Sequence, residues 1–187
     1  MAFHTPLVEV AQWVTGEELA KLPEADLCEL VDGKVVRMSP TSHIHGRIEG
    51  RVYRLLSDFV ESKDLGQVMV GEVGIYIRRN PDTIRAADVL YISQARYAQS
   101  RSASYLDVAP ELVVEVLSPD DSWQAVTRKL ADYFSIGVQM VWVVDPDAHQ
   151  VYAYRSATES KPFAETDTLT APEVLPGLTA PVAEVFR

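Results

Sequence analysis

Two carboxylates and one amine draw attention because of the company they keep. Glu115 lies inside Pro110-Glu-Leu-Val-Val-Glu-Val-Leu-Ser-Pro119, whose β-branched and leucine residues fit a strand buried on both faces. A buried carboxylate costs several kcal/mol unless a cation or hydrogen-bond donor meets it. Glu115 therefore calls for a structural partner or a metal ion. Asp88 raises the same question, since it opens a second short apolar strand, Val89-Leu90-Tyr91-Ile92. Lys129 follows in a helical pattern containing Arg128-Lys129-Leu130. Two carboxylates on adjacent strands can share one Mg²⁺, a hard cation that prefers oxygen ligands and keeps several waters. Such a metal polarises a phosphodiester oxygen and lowers the pKa of a bound water. A nearby ammonium orients that water and offsets charge developing in the transition state.

Each residue also has a plainer reading. Asp88 can cap a strand end, Glu115 can pair with a buried arginine, and Lys129 can be a solvated helix lysine. Glu29 can be a further acid behind the site or the structural partner of Lys34 or Arg37. His43 and His45 diverge by about 200° at a helix start, so a shared metal is not expected, while His45 alone can face the site. Arg47, Arg51 and Arg54 share a helix face, either as a solvated row near Glu49 and Asp58 or as phosphate contacts. Asp120 and Asp121 read as helix-start charges. A serine nucleophile, a glycine-rich phosphate loop and a Cys/His zinc spacing find no support.

Several elements must position these groups. Thr15 with Glu18 forms a capping box for a helix from Gly16 to about Leu22. Leu27–Val31 and Lys34–Met38 flank Asp32-Gly33, a strong hairpin signal. Ile44, Ile48, Val52, Leu55, Leu56, Phe59 and Val60 mark a helix over 42–63, capped by Ser42 or Thr41. Gln67 to Arg79 reads as extended chain bent at Gly71 or Gly74, before a turn at Asn80-Pro81-Asp82. Gln94 to Ser104 has weak helical character. Ser118, Asp120 or Asp121 can cap a helix from Ser122 to Phe134, which Gly137 ends. Gln139 to Val144 is a buried strand with Val141 and Trp142 in the core, and Val151 to Arg155 pairs back after Asp145-Pro146-Asp147. Short strands or turns follow. The order predicts a mixed α/β domain over 1–187, with a helix–hairpin element at about 15–38.

Bulk properties narrow the class. The chain has 187 residues, 47% of them apolar, and a formal net charge of −10. That size and composition favour one globular domain. The charge argues against broad affinity for nucleic acid, yet permits a local basic groove or an acidic pocket neutralised by a divalent cation. The single cysteine, Cys28, excludes an internal disulfide and reads as a core side chain. No signal peptide pattern or membrane-length apolar run appears, which points to a cytoplasmic location and no membrane partner.

The ordered motifs resemble the Uma-two restriction endonuclease family, within the PD-(D/E)XK nuclease superfamily. The likeness rests on Asp88-Val-Leu-Tyr-Ile-Ser, Pro110-Glu-Leu-Val-Val-Glu115-Val-Leu-Ser118-Pro, Arg128-Lys129-Leu-Ala-Asp-Tyr133, Gly137-Val138 and Val141-Trp142-Val-Val-Asp145-Pro146. Glu29-Leu-Val-Asp-Gly33, His45 and the closing Leu175-Pro-Gly-Leu near Val185-Phe186 add to it. The resemblance implies a restriction-endonuclease-like mixed sheet flanked by helices and a Mg²⁺- or Mn²⁺-dependent endonuclease acting on DNA. It implies that Asp88, Glu115 and the Val116 carbonyl hold the metal, with a homodimer cutting both strands. Two departures stand out. Ala87 precedes Asp88 where the superfamily has proline; Pro81-Asp82 supplies that pair but reads as a turn with no strand after it. Leu117 stands where the superfamily lysine would be, which moves that role to Lys129. A binding or regulatory protein that keeps the fold, and a hydrolase of small phosphoesters, are the competing readings.

Overall fold

The computed structural model describes residues 13–25, 28–119 and 121–187. The N-terminal reading, the expected strand start at Leu27 and the candidate cap Asp120 lie outside them. Helix α1 (Gly16–Leu19) has the expected capping box but stops short of Leu22. Strands β1 (Cys28–Val31) and β2 (Lys34–Arg37) form the hairpin. Asp32 and Gly33 both take positive φ, 51° and 75°, as a tight two-residue turn requires. Helix α2 (His43–Ser62) is capped by Ser42 and buries Ile48, Val52, Leu56 and Val60.

Strands β3 (Gly66–Arg78) and β4 (Thr83–Ser93) form a long antiparallel pair. The register shifts between Val70 and Val73, where Gly71 and Glu72 have positive φ. The bend expected at Gly71 or Gly74 thus falls at Gly71 as a bulge. β4 begins directly after Asp82, contrary to the expectation that no strand follows Pro81-Asp82, and Asp88 lies in its middle instead of opening it. Helix α3 (Gln94–Tyr97) is a single turn. Strand β5 (Leu112–Val116), helix α4 (Trp123–Ser135) and strand β6 (Met140–Asp145) form a crossover unit, with β5 and β6 parallel. Strands β7 (Gln150–Tyr154) and β8 (Ser160–Ala164) continue the sheet antiparallel. Strands β9 (Thr168–Ala171) and β10 (Leu175–Pro181) make a separate hairpin before α5 (Ala183–Phe186).

The sheet order is β2-β1-β4-β5-β6-β7-β8, with β3 on the other edge of β4. Helices cover both faces. Leu112, Val114 and Val116 pack with α2, the β9–β10 hairpin and α5. Val113, on the opposite face, packs with Val126, Leu130 and Tyr133 of α4. Trp142 and Val141 are fully buried, and Cys28 is a core residue. β4 has one unusual edge. β1 meets it at Ile84, and β5 meets it only from Val89 to Tyr91. The stretch from Arg85 to Asp88 has no strand on that side.

Helix α4 carries Lys129, and its start is fixed by Ser122, whose side chain accepts the Ala125 N–H. Replacing that oxygen leaves a terminal donor without its partner. Ser122→Ala is expected to lower stability by about 1 kcal/mol, measured by urea unfolding.

Candidate active site

The open edge of β4 is filled by side chains. Glu29 of β1 accepts the Ala86 N–H through Oε1 at 3.1 Å. Beyond Val89, Asp88 reaches across the gap and accepts the Val116 N–H through Oδ2 at 2.6 Å. Both acids thus do what a paired strand would have done for these backbone groups. Asp88 and Glu115 approach the same gap from neighbouring strands, and the negative charge of Asp88 helps raise the pKa of Glu115.

Lys129 reaches the same place from α4. Its Nζ donates to Glu115 Oε2 at 2.7 Å and stands 3.3 Å from Glu29 Oε1. Tyr133, one helical turn on and fully buried, donates its hydroxyl to Glu115 Oε1 at 2.6 Å. Glu115 is therefore paired with a lysine, not with an arginine. Glu29 pairs with Arg85 and Lys129 rather than with Lys34 or Arg37; Arg37 bonds Glu24 instead. A cavity of about 40 Å³ adjoins Glu115, Val116 and Lys129, room enough for water. Leu117 lines it too. The amine from α4 thus reaches the volume bordered by the residue two positions after Glu115.

His45 and Glu49 project from α2, one turn apart. His45 is buried, with Nε2 at 3.3 Å from Asp88 Oδ2, while its Nδ1 lies 3.9 Å from Glu49 Oε2 and makes no hydrogen bond. Glu49 Oε1 accepts the Gly71 N–H at 3.0 Å, which ties α2 to the bulge carrying Glu72. His43 is exposed and takes no part.

The electrostatics express this crowding. Burial pushes Glu115 up to about 7, opposed by the Lys129 charge. Burial and then the charges of Asp88 and Glu72 push Glu49 up to about 7. Glu72 moves up through burial and Asp88. Burial alone would lower Lys129 and His45, but the surrounding acids outweigh it and raise both. Burial would raise Glu29, but Lys129 and Arg85 win and hold it low.

Among the described residues no three His, Cys, Asp or Glu side chains already converge as a ligand set. What the gap offers is two carboxylates and the backbone of Val116. That donor set suits a Mg²⁺ or Mn²⁺ ion bound by one or two carboxylates with water in the remaining positions. The orphaned Nδ1 of His45 adds one buried polar atom in need of a partner.

Other expected residues lie elsewhere or serve otherwise. Asp82, just ahead of β4, accepts the Gly16 N–H at 2.8 Å and meets Arg79 at 3.1 Å, so it is structural. Arg47 donates to the Phe186 carbonyl at 3.5 Å. Arg54 is exposed and Arg51 half-buried, and among the described residues neither has an ion pair, so both the solvated row and the phosphate contacts stay open as readings. Asp121 accepts the Ser118 N–H instead of capping α4. Sequence reasoning missed Glu49, Glu72, Tyr133, Arg85 and Asp132. The four-residue spacings of His45 to Glu49 and Lys129 to Tyr133 were the available signals.

A family model for Uma2, described as "Putative restriction endonuclease", matches residues 16–183. The chain belongs to the Uma2 family. The crystal structure of "a putative nuclease belonging to DUF820" from Anabaena variabilis shares its fold, with a TM-score of 0.76 and 23% identity over 92% of this chain and 97% of that one. No curated protein matches the chain. In this Uma2 protein, the expected restriction-endonuclease-like architecture, a mixed sheet flanked by helices, is the one found.

A carboxylate whose pKa is lowered by folding adds stability above its unfolded value, and that stability is lost as pH falls through the lowered value. Glu29 has an ordinary value of 4.5 and is held below it. Glu29→Gln is expected to be less stable at neutral pH, with the difference from the parent shrinking as pH drops below 4.5. Urea unfolding across pH checks this.

Proposed function

We propose that this Uma2 protein is a divalent-metal-dependent endonuclease that hydrolyses phosphodiester bonds in DNA. The observation that carries this reading is the meeting of Glu115, Lys129 and the Asp88-bound Val116 backbone at the open edge of β4. Asp88, Glu115 and the Val116 carbonyl would hold Mg²⁺ or Mn²⁺. When bound, the ion would polarise a phosphoryl oxygen and acidify a coordinated water. Lys129, held by two acids, keeps its proton and places a positive charge beside the cavity, where it can orient water and offset charge on a phosphate. Tyr133 fixes the orientation of Glu115, and His45 that of Asp88. Arg54 and the outer part of Arg51, without an ion pair among the described residues, offer cations for a phosphate backbone, while Arg47 does so less freely. A homodimer would let two such sites cut both strands.

One observation favours a second reading, a binding protein that keeps the fold. Both oxygens of Glu115 already have partners, so its charge is balanced without a metal. A carboxylate retains further lone pairs for a cation, and Mn²⁺ titration of the protein separates the two readings.

Plasmid cleavage with Mn²⁺, run beside Glu115→Gln, tests the assignment. Outer partners of a metal site are worth about 10- to 100-fold, so losing a ligand should cost at least that. Equal cutting by parent and variant would show the site to be misassigned.

A further inference from the structure

The guanidinium of Arg85 has no task in the chemistry proposed above, yet it is partly buried and doubly committed. Its Nη1 donates to Glu29 Oε2 at 2.7 Å, and its Nε donates to Asp132 Oδ2 at 2.7 Å. Glu29 belongs to β1 and Asp132 to α4, so one side chain of β4 ties both elements to the strand that carries Asp88. Asp132 stands three residues after Lys129, on the same helix. The other oxygen of Glu29 takes the Ala86 N–H and lies against the Lys129 amine. The result is an alternating series: Asp132, Arg85, Glu29, Lys129, Glu115. Each cation sits between two acids.

This series answers a mechanical problem. A lysine on the same strand as Glu115 would be placed by strand register. Lys129 comes instead from a helix, on a flexible stem that carries about 2 kcal/mol of rotamer entropy. Its amine stays on Glu115 only if the helix and the second acid are both held. We propose that Arg85 is the positioning residue for Lys129. It pins α4 through Asp132 and pins Glu29 so that the amine rests between two acids. Arginine suits the task because its rigid fork bonds two carboxylates at once, which a single ammonium does not do with the same geometry. This rests on the nuclease reading for its effect on rate, but not for its effect on the amine.

The test uses two readouts on the full chain. The five lysines are labelled with ¹⁵N, and the Lys129 ammonium signal is assigned by its loss in Lys129→Arg. In the parent this signal is expected to exchange slowly with water, as an amine clasped by two acids should. In Arg85→Gln it should broaden away, while kcat for DNA falls about 10- to 100-fold and KM stays within about twofold. Asp132→Asn, at a more exposed partner, should give the same effects in weaker form and serves if Arg85→Gln does not fold. A Lys129 signal unchanged in a folded variant, or never slowed in the parent, overturns the proposal. If the parent cuts no DNA, the nuclease reading fails by itself, and the ammonium signal still decides the role of Arg85.

Discussion

A sheet strand whose edge is left open inside a protein must satisfy its backbone by other means. β4 faces that constraint between its contacts with β1 and with β5. Acidic side chains meet it: Glu29 serves the backbone of β4, and Asp88 serves that of β5. Carboxylates placed there cannot stay unpaired, because stranding a charge away from water is costly. Cations from two directions therefore follow, Arg85 from β4 and Lys129 from α4. The layout of the candidate site descends from the break in strand pairing.

The resulting charge pattern is uneven. On the α4 side, acids and cations alternate, and Lys129 and Arg85 hold Glu29 below its usual range. On the α2 side, Glu49, Glu72 and Asp88 have His45 as their near cation, and Glu49 is pushed up to about 7. An excess of buried negative charge on one flank is the environment that a small divalent ion relieves. The stability lost by crowding carboxylates is the expected signature of a site arranged for binding instead of for rigidity alone. The overall charge of −10 is compatible with this, since acids gather around the gap while Arg51 and Arg54 of α2 have no ion pair among the described residues.

Much of this was legible from the sequence. The continuous apolar run of Leu112 to Val116 and the stripe from Ile48 to Val60 marked β5 and α2, and Glu115 stood out by interrupting the first. Lys129 was singled out through the family resemblance, with Leu117 in the place of the superfamily lysine, and the structure sets its amine on Glu115. What could not be read were contacts set by tertiary placement. The reach of β4 back to Thr83 was hidden by Pro81, which argued for a turn; the strand starts directly after it. Glu49 and Glu72 become neighbours only because a bulge in β3 brings Gly71 to α2. The pairing of Glu29 with Arg85 spans two strands, whereas local reasoning offered as structural partners only Lys34 and Arg37 of its own hairpin.

The central claim is that Asp88, Glu115 and the Val116 carbonyl form one cation site at the gap in the β4 edge. Anomalous diffraction from crystals soaked in Mn²⁺ addresses it without reliance on activity. The account predicts a single strong manganese peak at about 2.1 Å from oxygens of both carboxylates, with Lys129 still beside Glu115. A peak on other residues alone, or none at Mn²⁺ concentrations that support cleavage, would contradict it.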